Sequence, residues 1–204
     1  IRMRTPPDLF EVRLDCLVRI VGRLERQLQS LRAPLIITAR HSQEGGTNEL
    51  SLRQRRDLLT RFLNCADYID VELRSASALR LVLRMAEQKN VRRIISFHDV
   101  NSTPLPRILA AKARAAKVYG ANIFKVATRT DTPIQLARLL DFITNKAADL
   151  PVSVMGIGQL GAISRVLLAR AGSVLIYASV SGESHIEGQL SLEKFRALGI
   201  ASRH

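Results

Sequence analysis

Strand-like and helix-like stretches alternate seven times along this chain, and that rhythm limits its fold more than any other feature. Short runs of β-branched and aliphatic residues bounded by turn residues predict strands over 9–14, 34–40, 68–73, 93–97, 123–128, 152–155 and 174–178. Apolar residues at helical spacing predict helices over 17–31, 51–62 with Ser51 as N-cap, from Ser75 or Ser77 onward, and over 105–119, 133–148, 164–171 and 191–198. Units of this kind, about 20 to 30 residues long, build a parallel sheet through right-handed crossovers, either closed as a barrel or open and doubly wound.

Polar residues gather at the downstream ends of the strands: Glu11 and Arg13, Arg40, Glu72, His98 and Lys125, then Gly156. In a (β/α)8 barrel those ends converge on one mouth, whereas a doubly wound sheet collects them only at its switch point. The expectation is therefore an α/β fold of (β/α)8 TIM type, one domain over residues 1–204. Eight strands are needed and seven are found, so the first strand-helix unit is expected to be missing.

At 204 residues and 47% hydrophobic, the chain can bury one sizeable core. No apolar run is long enough to cross a bilayer and no leader with a cleavage site opens the chain, so a cytoplasmic location is expected. Cys16 and Cys65 have no partners at metal-ligand spacing and read as ordinary buried thiols, with no metal. The net charge of +13 attracts anions, which brings nucleic acid into consideration beside small anionic substrates. The basic residues are spread along helices (Arg53, Arg55, Arg56 and Arg61; Arg107, Lys112, Arg114 and Lys117) without interleaved aromatics, and a solvated helical face accounts for them.

Two features point to chemistry. Lys125 sits inside the apolar run Ile123-Phe124-Lys125-Val126, where an ammonium loses the hydration a surface lysine keeps and the neutral, nucleophilic amine becomes accessible, as in imine-forming lysines. The alternative is a strand end whose ammonium reaches solvent or a carboxylate. Gly156-Ile157-Gly158-Gln159-Leu160-Gly161 fits a dinucleotide-binding fingerprint, but the next strand ends in Tyr177-Ala178-Ser179 without the carboxylate that would hold a ribose. A tight turn that lets substrate or backbone approach closely explains those glycines without a cofactor.

Taken together, Phe10-Glu11-Val12-Arg13-Leu14-Asp15, Glu44-Gly45-Gly46, Ile69-Asp70-Val71-Glu72, Ser96-Phe97-His98-Asp99, Phe124-Lys125-Val126-Ala127, Met155-Gly156 with Gly161 and Ser164-Arg165, and Gly188-Gln189 resemble type I 3-dehydroquinate dehydratase. Any one piece is unspecific; seven in the right order and spacing, from about residue 8 to the C-terminus, are specific. The resemblance implies a barrel lyase of the shikimate pathway, without metal or cofactor and commonly a homodimer, that converts 3-dehydroquinate to 3-dehydroshikimate through a lysine imine. It makes Lys125 the imine-forming lysine, His98 the general acid and base, and Glu72 the carboxylate that orients the histidine. Glu11, Arg13 and Arg40 would surround the substrate hydroxyls and the reaction centre, Arg165 would clamp the substrate carboxylate, and Gln189 would sit in a lid. Ion pairs of the barrel are the alternative for Glu72 and for the Glu11, Arg13 pair.

The chain departs from that pattern in the lid, where Ser184-His185-Ile186-Glu187-Gly188-Gln189 replaces a small-residue approach ending Pro-Gly-Gln. Ser184 substitutes for the expected serine only if the loop shifts. At the start, only residues 1–8 precede the Glu11 strand, so a clipped terminus, a strand from a partner chain or a fold that tolerates seven strands are the competing expectations. Other readings are a different imine-forming barrel enzyme of the aldolase kind, and a barrel that binds the substrate without turnover.

Overall fold

Parallel strands covered on both faces read as continuous apolar runs, as the fully buried Leu35–Thr38 does; the chain divides into two compact units, residues 1–94 and 95–204. The structure, a computed structural model, describes residues 6–29, 33–145, 149–180 and 186–200.

In the first unit, β1 (Phe10–Arg13), β2 (Leu35–Thr38) and β3 (Tyr68–Glu72) are parallel and ordered as in the chain, with Val12 opposite Ile37 and Ile37 opposite Ile69. All four residues of β2 are buried, as are the last four of β3. Helix α1 (Val21–Gln29) follows a short 3-10 turn over Val18–Ile20, and α2 (Leu52–Phe62) starts where the sequence places its cap. Ser51 and Gln54 form a reciprocal capping box: the Gln54 N–H donates to Ser51 Oγ at 3.2 Å and the Ser51 N–H to Gln54 Oε1 at 2.8 Å. Behind β3, the single expected helix is split into α3 (Leu73–Ala76) and α4 (Arg80–Gln88). Val82, Leu83 and Ala86 form the buried face of α4.

Strand β4 (Arg92–Asp99) leads into the second unit, which continues with α5 (Pro106–Val118), β5 (Ile123–Arg129), α6 (Pro133–Thr144), β6 (Val152–Ile157), α7 (Gly161–Arg170) and α8 (Leu192–Ala197). Pro106 and Pro133 each open a helix, where the missing N–H costs nothing. β5 and β6 run parallel with Lys125 opposite Ser153 and Ala127 opposite Met155. Behind them the Phe124 and Phe142 rings meet edge to face, centroids 6.4 Å apart, fixing α6 against β5.

The expected seventh strand over 174–178 is not formed, so six strands stand among the described residues. The segment runs beside β6 without a ladder. Val174 N–H reaches Val152 O at 3.0 Å, but Val154 N–H is then taken by Ser173 Oγ at 2.9 Å and Leu175 O by Ser153 Oγ at 2.9 Å. Serine hydroxyls occupy the positions that strand carbonyls and amides need. β6 also continues through Gly156 to Ile157 rather than stopping at the glycine. Among the described residues, no helix is long and apolar enough to cross a membrane.

Candidate functional site

The helices of the second unit define the two faces of its strands. Lys112 of α5 lies with Nζ 4.1 Å from the centroid of Phe97, which places Phe97 on the helical side of β4, and α5 packs on α6. Strand side chains alternate, so Ser96 and His98 take the opposite face. In β5 Phe124 faces α6, so Lys125 also points away from the helices. β4 and β5 are neighbours in the sheet, and His98 and Lys125 therefore share one face.

On that face Lys125 is 4% exposed and its Nζ stands 3.8 Å from the centroid of the Tyr177 ring. The Tyr177 carbonyl accepts a hydrogen bond from Arg165 Nη1 at 3.1 Å. Arg165, on α7, is 3% exposed, and its Nε has no hydrogen-bond partner among the described residues. Burial pushes its guanidinium down to about 10. A buried guanidinium with an unused N–H is a ready receptor for a carboxylate, since two parallel hydrogen bonds restore what desolvation removed.

The glycine motif after β6 is spent on backbone approach. A Cβ at Gly161 would lie 3.0 Å from Gly188 Cα and 3.2 Å from the Glu187 carbonyl oxygen, and Gly188 itself holds φ +78°. The Gly158 N–H donates to that carbonyl at 3.3 Å. Glu187 is further held by Arg129, whose Nη1 donates to its Oε2 at 2.9 Å while Nε donates to Asp131 Oδ2 at 2.5 Å. Gln189 follows directly and donates its N–H to Ile186 O at 3.0 Å. Ser184 and His185 lie outside the described residues.

In the first unit the expected site residues are tied into a buried ionic network. Arg40, 2% exposed, donates to Asp70 Oδ1 at 3.1 Å and Oδ2 at 2.7 Å, and to Glu72 Oε1 at 3.2 Å. Glu72 Oε1 also accepts from the His41 N–H at 2.9 Å, and its Oε2 is paired with Arg55. Glu72 is thus ion-paired with both Arg40 and Arg55. Desolvation opposes the charge on Arg40, but Asp70 and Glu72 outweigh it and hold the guanidinium above its ordinary range. Glu11 accepts from Thr38 Oγ1 at 2.8 Å and lies 3.9 Å from Arg40 Nη2. Arg13 is held by Asp15, through Nε at 2.9 Å and Nη2 at 2.7 Å, and by Gly45 O at 2.9 Å.

Four residues here are given no role in the site by the sequence: Asp15, Arg55, Asp70 and Tyr177. Arg55 corrects the reading of α2 as a solvated basic face. It is 1% exposed, with Nε on Ala39 O at 2.8 Å and Nη1 on Ser75 Oγ at 3.0 Å, whereas the Arg53 side chain is 84% exposed. Cys16 is likewise exposed rather than buried, with Sγ 3.0 Å from Thr47 Oγ1. Among the described residues, no group of three or more His, Cys, Asp or Glu side chains could hold a metal ion.

Residues 2–199 match the family described as Type I 3-dehydroquinase. The chain belongs to that family. It is an enzyme family of the hydro-lyase class, and the relatives agree with the assignment. The chain is 32% identical to a 3-dehydroquinate dehydratase of Shouchella clausii (strain KSM-K16), over 94% of this chain and 80% of that one. Among solved structures it resembles the 3-dehydroquinate dehydratase of Geobacillus kaustophilus HTA426, with a TM-score of 0.87 at 30% identity, covering 98% of this chain and 84% of the other. The type I enzyme of Clostridium difficile, solved with covalent modified comenic acid, gives a TM-score of 0.87 at 27% identity, covering 96% and 82%. The fold is the α/β barrel type of the 3-dehydroquinase family.

Proposed function

We propose that the chain dehydrates 3-dehydroquinate to 3-dehydroshikimate through an imine on Lys125, with His98 moving the protons. The shared strand face of these two residues, one a buried amine and the other an imidazole, is the observation that carries the reading. Family membership supplies the substrate, as do relatives that bear the dehydratase name.

The steps follow from the groups. The neutral Lys125 amine adds to the ketone carbon, the resulting carbinolamine loses water, and a cationic iminium forms between Nζ and that carbon. The iminium withdraws electrons, so a proton leaves the adjacent carbon to His98 and the electron pair moves into an enamine. The enamine returns its electrons as the hydroxyl on the next carbon departs, and His98 gives back the proton that makes it water. Hydrolysis of the product iminium then frees Lys125 and a conjugated enone. Proton transfer by a positioned histidine is typically worth about 10² to 10⁴ in rate.

Arg165 is assigned the substrate carboxylate on the strength of its burial and its unused Nε donor. Gln189 belongs to the lid on this reading, held in place through Glu187 and Gly188. Glu11, Arg13 and Arg40 are assigned the substrate hydroxyls and the reaction centre, and Glu72 the orientation of His98, by resemblance; the ion pairs of Arg40 with Glu11 and Glu72 and of Arg13 with Asp15 would keep them in fixed rotamers. A homodimer and a cytoplasmic location go with the reading and are tested by sedimentation and cell fractionation.

Incubation with 3-dehydroquinate and ultraviolet detection of the enone tests the function. Wild type should produce the absorbance, and Lys125→Ala and His98→Ala should lose it by at least about 10²-fold. Turnover that survives both substitutions would reject the assignment.

A further inference from the structure

The Tyr177 ring is not explained by the reaction as derived so far. It lies in a segment that forms no ladder, yet it is pinned from two sides: its carbonyl receives Arg165 Nη1 at 3.1 Å and its ring faces Lys125 Nζ at 3.8 Å from the centroid. The two contacts use different parts of the residue, and both lead to groups that the proposed chemistry requires. An aromatic face attracts a cation through its quadrupole, and more strongly where water is excluded, as at an amine only 4% exposed.

We propose that Tyr177 is a further catalytic residue, whose ring face stabilises the positive charge carried by Lys125 Nζ in the iminium. The inference rests on the imine reading above. Addition of the amine to the ketone and loss of water from the carbinolamine place a cation at Nζ, an atom that the carbon skeleton now shields from solvent. The ring is the neighbour that stabilises this charge without consuming it. A carboxylate at the same distance would neutralise the iminium and weaken its pull on the adjacent proton, whereas a ring lowers the energy of the cation and leaves it electron-withdrawing. Through its carbonyl the same residue holds the Arg165 guanidinium, so the cation that takes the substrate carboxylate and the amine that takes its ketone are referenced to one residue.

The experiment compares Tyr177→Leu, which removes the π face and keeps apolar bulk, with Tyr177→Phe, which keeps the face and removes the hydroxyl. Each is mixed with saturating 3-dehydroquinate, quenched with borohydride, and the adduct on Lys125 is quantified by mass. Leu should cut the rate of adduct formation by about tenfold, and Phe should recover most of that loss, within about threefold of wild type. In a Lys125→Ala background, where no cation forms, Tyr177→Leu should change the dissociation constant for 3-dehydroquinate less than about twofold, which separates charge stabilisation from packing. A Leu variant that traps adduct as fast as wild type, a Phe variant as slow as Leu, or an equal loss of binding without the lysine would each overturn the role of the ring while leaving the imine intact. Wild-type turnover with no adduct at all would overturn the imine reading and this inference with it.

Discussion

Asp70 meets Arg40 through two hydrogen bonds, at 3.1 and 2.7 Å, with the aspartate 1% and the arginine 2% exposed. Such a pair contributes little by itself, because desolvation of two charges cancels most of their attraction, but removing Asp70 leaves the buried Arg40 charge under-compensated even with Glu72 and Glu11 beside it. Asp70→Asn should therefore destabilise the protein by about 3 kcal/mol, seen as a lower urea midpoint at unchanged slope. A loss under about 0.5 kcal/mol would place Arg40 in water rather than in this network.

Asp15 sets an acid limit. Burial alone would raise its carboxyl, but two hydrogen bonds from Arg13 and the N–H groups of Thr47 and Arg40 outweigh that and hold it below its ordinary value of 3.8. A carboxyl depressed in the folded state contributes stability that is fully present above the unfolded value and is lost as pH falls through the folded one. Wild type should lose stability below pH 3.8. Asp15→Asn should be weaker at pH 7 by about 2 kcal/mol and should show a shallower acid slope. Identical slopes for the two proteins in urea melts between neutral and acid pH would contradict the assignment.

The segment proposed as the lid carries a charge, at Glu187, where the family pattern has proline. Arg129 holds Glu187, with 32% and 56% of the two side chains exposed, so added salt screens the pair. Glu187→Gln should raise KM for 3-dehydroquinate about two- to fivefold with kcat nearly unchanged, and wild type should drift toward the same KM as ionic strength rises. Equal KM for both proteins at low salt would show that the ion pair does not hold the lid.

Arg165→Met removes the guanidinium and keeps a long apolar side chain. A charged hydrogen bond contributes about 1.5 to 3 kcal/mol, so KM should rise roughly 10- to 100-fold, with a smaller change in kcat. Steady-state kinetics checks it, and an unchanged KM would free Arg165 from the clamp role.

Much of this was legible in the sequence because local pattern decides it. Ser51 followed three residues later by Gln54 fixes a helix start, and the apolar run around Lys125 fixes a strand. Where a side chain's fate depends on a partner far along the chain, the pattern is silent. Arg55 looks like Arg53 and Arg56 beside it, and its partners Glu72, 17 residues on, Ser75 and the carbonyl of Ala39 explain why it turns inward. The stretch 174–178 reads as a strand by composition, but serines at 153 and 173 take its hydrogen bonds, a competition that propensity does not encode. Tyr177 was invisible as a site residue for the same reason: nothing near it in sequence signals an amine above its ring.

Reduction of the enzyme with borohydride during turnover of 3-dehydroquinate, followed by peptide mass mapping, addresses the proposed covalent chemistry at its reacting atom. The expected result is one adduct per chain, on the peptide containing Lys125, formed in wild type and absent from Lys125→Ala. Full dehydratase activity with no adduct on that peptide, or with an adduct on another lysine, would contradict it.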